Sequence, residues 1–96
     1  MVAWKEGGVE FPIYALTFVE TLGDITPKVS YLSRGDLSEA ATNKEARALF
    51  EHLRRDHPAV LREFGRVVFT AYAEPPTDPG RSYRAFTVVL PPKPGK

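Results

Sequence analysis

Apolar residues recur at three- and four-residue spacing over one stretch only, Asp36 to Phe64, while the rest of the chain breaks into short alternating runs. The long stretch reads as a helix packed on a sheet. Asp36 stands where a cap belongs, and Glu39, three residues on, completes a capping box. Leu37, Ala40, Ala41, Ala48, Leu49 and Leu53, with Phe50 alongside, form the apolar face, whereas Lys44, Glu45, Arg47, Glu51, Arg54 and Arg55 lie mostly elsewhere around the wheel. Glu51 and Arg55 are spaced as an i, i+4 ion pair, a contribution of about 0.3 kcal/mol. His57 precedes Pro58, and a residue before proline is pushed out of the α region. The pattern therefore predicts a first helix ending near Asp56, a second from Pro58 to Phe64, and a left-handed cap at Gly65.

The flanking runs read as strands. Val9 to Leu22 is rich in β-branched and aromatic residues, with apolar side chains on both parities from Ile13 to Val19, as in a strand covered on both sides. Pro12 belongs near its start or against an open edge. Lys28 to Ser33 is a second strand, joined to the first through Leu22 to Pro27. Arg66 to Glu74 and Arg81 to Leu90 form a second hairpin around the turn-rich PPTDPG. Setting Ala73 opposite Ser82 pairs Phe69 with Phe86 and Val67 with Val88 on one face. It pairs Tyr72 with Tyr83, Thr70 with Ala85, Val68 with Thr87 and Glu74 with Arg81 on the other. The predicted fold is α+β: a mostly antiparallel four-stranded sheet built from hairpin, broken helix and hairpin, with the helix on one face. Met1 to Gly8 reads as a flexible lead-in that Trp4 could anchor, residues 9–90 as the core of a single domain, and residues 91–96 as a proline-rich tail.

Composition narrows the function classes. The chain has no cysteine, which removes disulfides, Cys-ligated zinc and thiol chemistry. Thirteen basic residues face twelve acidic ones, so bulk charge favours neither a nucleic-acid nor a membrane partner. The longest apolar run is far short of a membrane span and MVAWKEGG lacks a signal-peptide core, which predicts a cytoplasmic protein. One Asn, no Gln, one Met, eight Arg and nine Pro match the bias of thermophile proteins against labile side chains and flexible loops.

The side chains that carry chemistry do not assemble into a catalytic motif. His52 and His57 are five residues apart, about 140° around a continuous helix, and so do not form the i, i+4 pair of a metal site. Glu10 and Glu20 flank the first strand's apolar centre, an acid–base pairing that no motif supports, and Gly7-Gly8 and Gly35 lack the context of a phosphate loop. No catalytic residue, cofactor or metal is expected. A helix can cover only one side of the sheet, and the other carries Arg66, Val68, Thr70, Tyr72, Tyr83 and Thr87, with Arg81 at its margin. Tyrosine and arginine are enriched at protein interfaces, so the leading expectation is a non-enzymatic interaction or regulatory domain that self-associates, or binds another protein, through an open sheet face or edge. The alternative is a platform for single-stranded nucleic acid, with bases stacked on the tyrosines and Arg66, Arg81 and Arg84 at the phosphates.

The passage RGDLSEAATNKEARALFEHL, Arg34 to Leu53, resembles the strand-to-helix step of small HicB-type antitoxin domains, where a Gly-Asp pair precedes an Ala- and Glu-rich helix. The resemblance covers about a fifth of the chain. The strand that such domains place between hairpin and helix is missing here, and no residue role is carried over.

Overall fold

The computed structural model describes residues 2–21 and 23–91. Five strands form one sheet in the order β1 (Val2–Glu6), β2 (Val9–Thr21), β3 (Asp24–Leu32), β4 (Val67–Tyr72) and β5 (Ala85–Leu90). Helices α1 (Glu39–Asp56) and α2 (Pro58–Phe64) connect β3 to β4, which run parallel, while every other neighbouring pair is antiparallel. The class is α+β, as expected, but the mostly antiparallel sheet has five strands rather than four and is mixed, with β3 and β4 parallel.

The fifth strand comes from the segment expected to be a loose lead-in. Gly7 and Gly8 have φ of 60° and 80°, the left-handed pair that a two-residue hairpin turn requires, and they fold Val2–Glu6 back onto Val9–Ile13. The next turn is also tighter than expected, since Thr21 pairs with Asp24 and β3 includes Pro27 opposite Phe18. Pro27 is tolerated because β4 joins β3 only from Lys28 onward. The proline-rich tail falls outside the described residues beyond Pro91.

The core lies between the sheet and α1. Phe11, Ile13, Val29, Tyr31, Val67, Phe69, Ala71, Val88 and Leu90 meet Ala46, Leu49 and Leu53, all buried. Fully burying a leucine contributes about 1.5–3 kcal/mol, so Leu49 and Leu53 alone anchor α1 firmly. Helix boundaries follow the local signals. α1 ends at Asp56, His57 leaves the helical region at φ −137°, and Gly65 closes α2 at φ 74°. The start differs: Ser38 is the cap, its hydroxyl accepting the Ala41 N–H at 3.1 Å, while the Asp36 carboxylate accepts the Ser38 N–H. That hydrogen bond holds the Asp36 carboxyl below its usual range. Glu51 pairs with Arg54 instead of Arg55, which reaches across to Glu6.

Two differences concern register. β4 and β5 pair Phe69 with Val88 and Thr70 with Thr87, two residues away from the expected alignment. A shift of two keeps every side chain on its expected face, which is why the face assignment survives. In β2 a bulge falls between Ile13, opposite Tyr31, and Ala15, opposite Ser30. The extra residue reverses the parity, so Phe11 and Ile13 before it and Leu16 and Phe18 after it all point to the helix side. Apolar residues on both parities thus mark the bulge, not a strand covered twice; Leu16 and Phe18 are 46% and 57% exposed.

Candidate functional site

The expected interaction face divides into two parts. Val68, Thr70 and Tyr72 alternate with buried Val67, Phe69 and Ala71 and therefore occupy the side of β4 away from α1, with Thr87 across from Thr70. The two threonine hydroxyls lie 3.1 Å apart. β3 supplies Lys28, Ser30 and Leu32 beside them, and β2 supplies Ala15, Thr17 and Val19. Over Ala15–Val19, Thr26–Leu32, Val68–Tyr72 and Ala85–Val89, Lys28 is the one charged side chain on this helix-free face.

Tyr83 and Arg81 lie outside the strands and form a clasp. The Asp78 N–H donates to the Tyr83 hydroxyl at 2.8 Å, and the Arg81 guanidinium sits 5.2 Å from the Tyr83 ring centre. Arg81 also donates to both Glu74 oxygens, at 2.9 and 2.8 Å. Tyr72 meets Tyr83 edge to face at 6.4 Å, so the pairing expected across two strands is made by a strand and a loop. Arg66 lies beyond the other end of β4, about 20 Å from this clasp by strand rise. The face therefore brings Val68, Thr70, Tyr72 and Thr87 together, adds Tyr83 with Arg81 at one corner, and leaves Arg66 apart.

Sequence reasoning missed two polar assemblies beneath α1. Glu45, expected on the charged side, is 8% exposed. Its carboxylate accepts the Tyr31 hydroxyl at 3.2 Å, the Ser33 hydroxyl at 3.1 Å and the Arg34 N–H at 2.7 Å. Burial, then the adjoining carboxylate, pushes the Tyr31 phenol far above its ordinary range. The spacing of Thr42, Glu45, Ala46, Leu49, His52 and Leu53, all buried, was the available signal, since these positions trace one helix face.

The second assembly joins β1 to the end of α1. Trp4 stacks on His52 at 4.7 Å and lies 5.9 Å from His57, whose ring is 5.8 Å from that of His52. The two histidines meet because the helix breaks at His57, which a continuous helical wheel does not anticipate. His52 Nδ1 is 3.4 Å from Asp56 and 4.0 Å from Glu6. The Arg55 guanidinium holds both the Glu6 and the Asp56 carboxyl below the usual range. Among the described residues no three His, Asp or Glu side chains converge so as to hold a metal ion.

A third feature lies along β2. β1 covers it only at Val9–Ile13, and among the described residues Ala15–Thr21 has β3 on one side and no strand on the other. On the helix side of this segment Leu16, Phe18 and Ile25 are 46%, 57% and 59% exposed. Phe64 of α2 stands 5.3 Å from Phe18. Among the described residues no helix is long and apolar enough to cross a membrane. Comparison of the chain with family models, curated proteins and solved structures finds no match.

Proposed function

We propose that this chain is a non-enzymatic interaction domain that self-associates through its sheet. The observation that carries the reading is the cluster of Leu16, Phe18 and Ile25, three large apolar side chains about half exposed on one hairpin, beside a stretch of β2 that has no strand on its outer edge among the described residues. Large apolar side chains held together at a surface favour association, because each loses water contact when covered. The helix-free face supports the same reading, since depletion of charge marks the centre of an interface. The two buried groups suited to acid–base work have structural partners: Glu45 ties α1 to β3, and His52 lies under Trp4.

Size-exclusion chromatography with light scattering, at low and high salt and with absorbance ratio recorded, tests the proposal. The expected mass is twice the 10.7 kDa of the single chain, unchanged by salt. A monomer at every concentration refutes self-association. Co-eluting nucleic acid that salt removes would move the reading to single strands bound at Tyr72 and Tyr83.

A further inference from the structure

Resting on that self-association, we infer that the interface is the bare edge of β2, paired antiparallel with the same edge of a second copy about a two-fold axis through Phe18. Beside β2, β1 ends opposite Ile13, and among the described residues no strand neighbours Ala15–Thr21 on that side. That gap takes a strand of about seven residues, roughly 23 Å of paired backbone. With the axis through Phe18, Ala15 pairs with Thr21 of the other copy, Leu16 with Glu20, and Thr17 with Val19. Phe18 faces its own counterpart. Of the axes that keep both copies' helices on the same side, this one pairs all seven positions, and the partner strand lies end to end with β1.

The chemistry of the segment suits this pairing. Exposed edges are commonly protected by lysine, proline or inward-pointing charge, and Ala15–Thr21 contains only Glu20 as an ionisable residue. In the two-fold register Glu20 lies across from Leu16, so no like charges meet. The two Phe18 rings become direct cross-strand neighbours, each backed by its own Phe64 at 5.3 Å, which makes a row of aromatic rings on the helix side. The opposite edge fits less well. On β5, Val88 and Leu90 are buried, Phe86 is half-buried against the core, and Val89 is the one large apolar side chain exposed, at 37%. Pairing through β2 would join two five-stranded sheets into one of ten strands.

The test uses substitutions at the axis, where each change is presented twice. Phe18→Lys and Phe18→Asp, each alone, should weaken the dimer at least about 100-fold, because like charges then face each other where two rings met. Mixing the two variants should restore a dimer. Phe18→Cys, in a chain with no other cysteine, should oxidise to a covalent dimer because cross-strand Cα separations fall within disulfide range. Val89→Cys should remain monomeric on denaturing gels. A wild-type dimer that persists in Phe18→Lys, or crosslinks through Val89→Cys but not Phe18→Cys, overturns the β2 edge while leaving self-association intact. A monomeric wild type overturns both. Variants that fold, as shown by circular dichroism, but fail to pair when mixed overturn the two-fold at Phe18. If the charged variants do not fold, the cysteine pair alone decides.

Discussion

Replacing Glu45 by alanine should be among the most damaging single changes outside the apolar core. The carboxylate receives the Tyr31 hydroxyl at 3.2 Å, the Ser33 hydroxyl at 3.1 Å and the Arg34 N–H at 2.7 Å. Ser33 and Arg34 lie near the surface and can turn to water once it is gone. Tyr31 has no exposed surface, so its hydroxyl is stranded. A hydrogen bond to a charged group contributes about 1.5–3 kcal/mol, and a stranded buried donor costs about 1–3 kcal/mol. Glu45→Ala should therefore cost about 3 kcal/mol and lower Tm by about 12–24 °C in a domain of this size. Tyr31→Phe removes the donor and should cost about 1.5–3 kcal/mol. Because the two changes share one interaction, the double variant should fall short of their sum by at least about 1 kcal/mol. Urea denaturation of the four proteins measures each term. A cost below about 1 kcal/mol for Glu45→Ala, or strict additivity, would refute the network. The pH dependence has a definite sign. The folded chain holds the Tyr31 phenol protonated above the ordinary value of 10.0, so its contribution is complete below that pH and is lost as the pH rises further. Alkaline titration followed by ultraviolet absorbance should show one tyrosine ionising only with unfolding.

Thr42 is fully buried and its hydroxyl has no hydrogen-bond partner among the described residues, so Thr42→Val should raise stability by about 1 kcal/mol in the same urea assay. Gly65→Ala places a side chain into open space but at φ 74°, which makes the loss a backbone effect of about 1 kcal/mol, read as a lower Tm. Arg55 depresses the Glu6 and Asp56 carboxyls, so the stability they contribute is present above the ordinary carboxylate range and is lost as the pH falls through their depressed values. Arg55→Met should accordingly flatten the dependence of Tm on pH in acid, and an unchanged slope would show that the ion pairs do not couple to folding.

Much of the fold was legible where one residue type has one structural use. Pro58 and Gly65 marked the helix break and its end because proline and glycine restrict or release φ in ways that other residues do not. The two faces of β4 and β5 were legible because alternation survives a two-residue register shift. Gly7-Gly8 was legible in principle as a hairpin turn between VAWKE and VEFP, yet two glycines equally describe a loose terminus, and only pairing with β2 decides between them. The parallel pairing of β3 with β4 is set by packing of the intervening helices and leaves no local mark. Glu45 was placed on the wrong side of α1 because charge was weighed above helical phase, and its burial depends on donors from Tyr31, Ser33 and Arg34, supplied by a distant turn of the chain.

The bulge in β2 links the fold to the proposed interface. Without it, strict alternation from Phe11 and Ile13 would place Ala15, Thr17 and Val19 on the helix side and turn Leu16 and Phe18 to the helix-free face. The extra residue between Ile13 and Ala15 instead keeps the large apolar side chains on the helix side beyond the end of β1. There Phe64 of α2 meets Phe18, while Phe18 remains 57% exposed. The inserted residue lies where the chain passes from a stretch paired with β1 to one paired with β3. A single local irregularity thus sets the side on which the apolar groups of this edge stand and the position of the aromatic pair about which a second copy can turn.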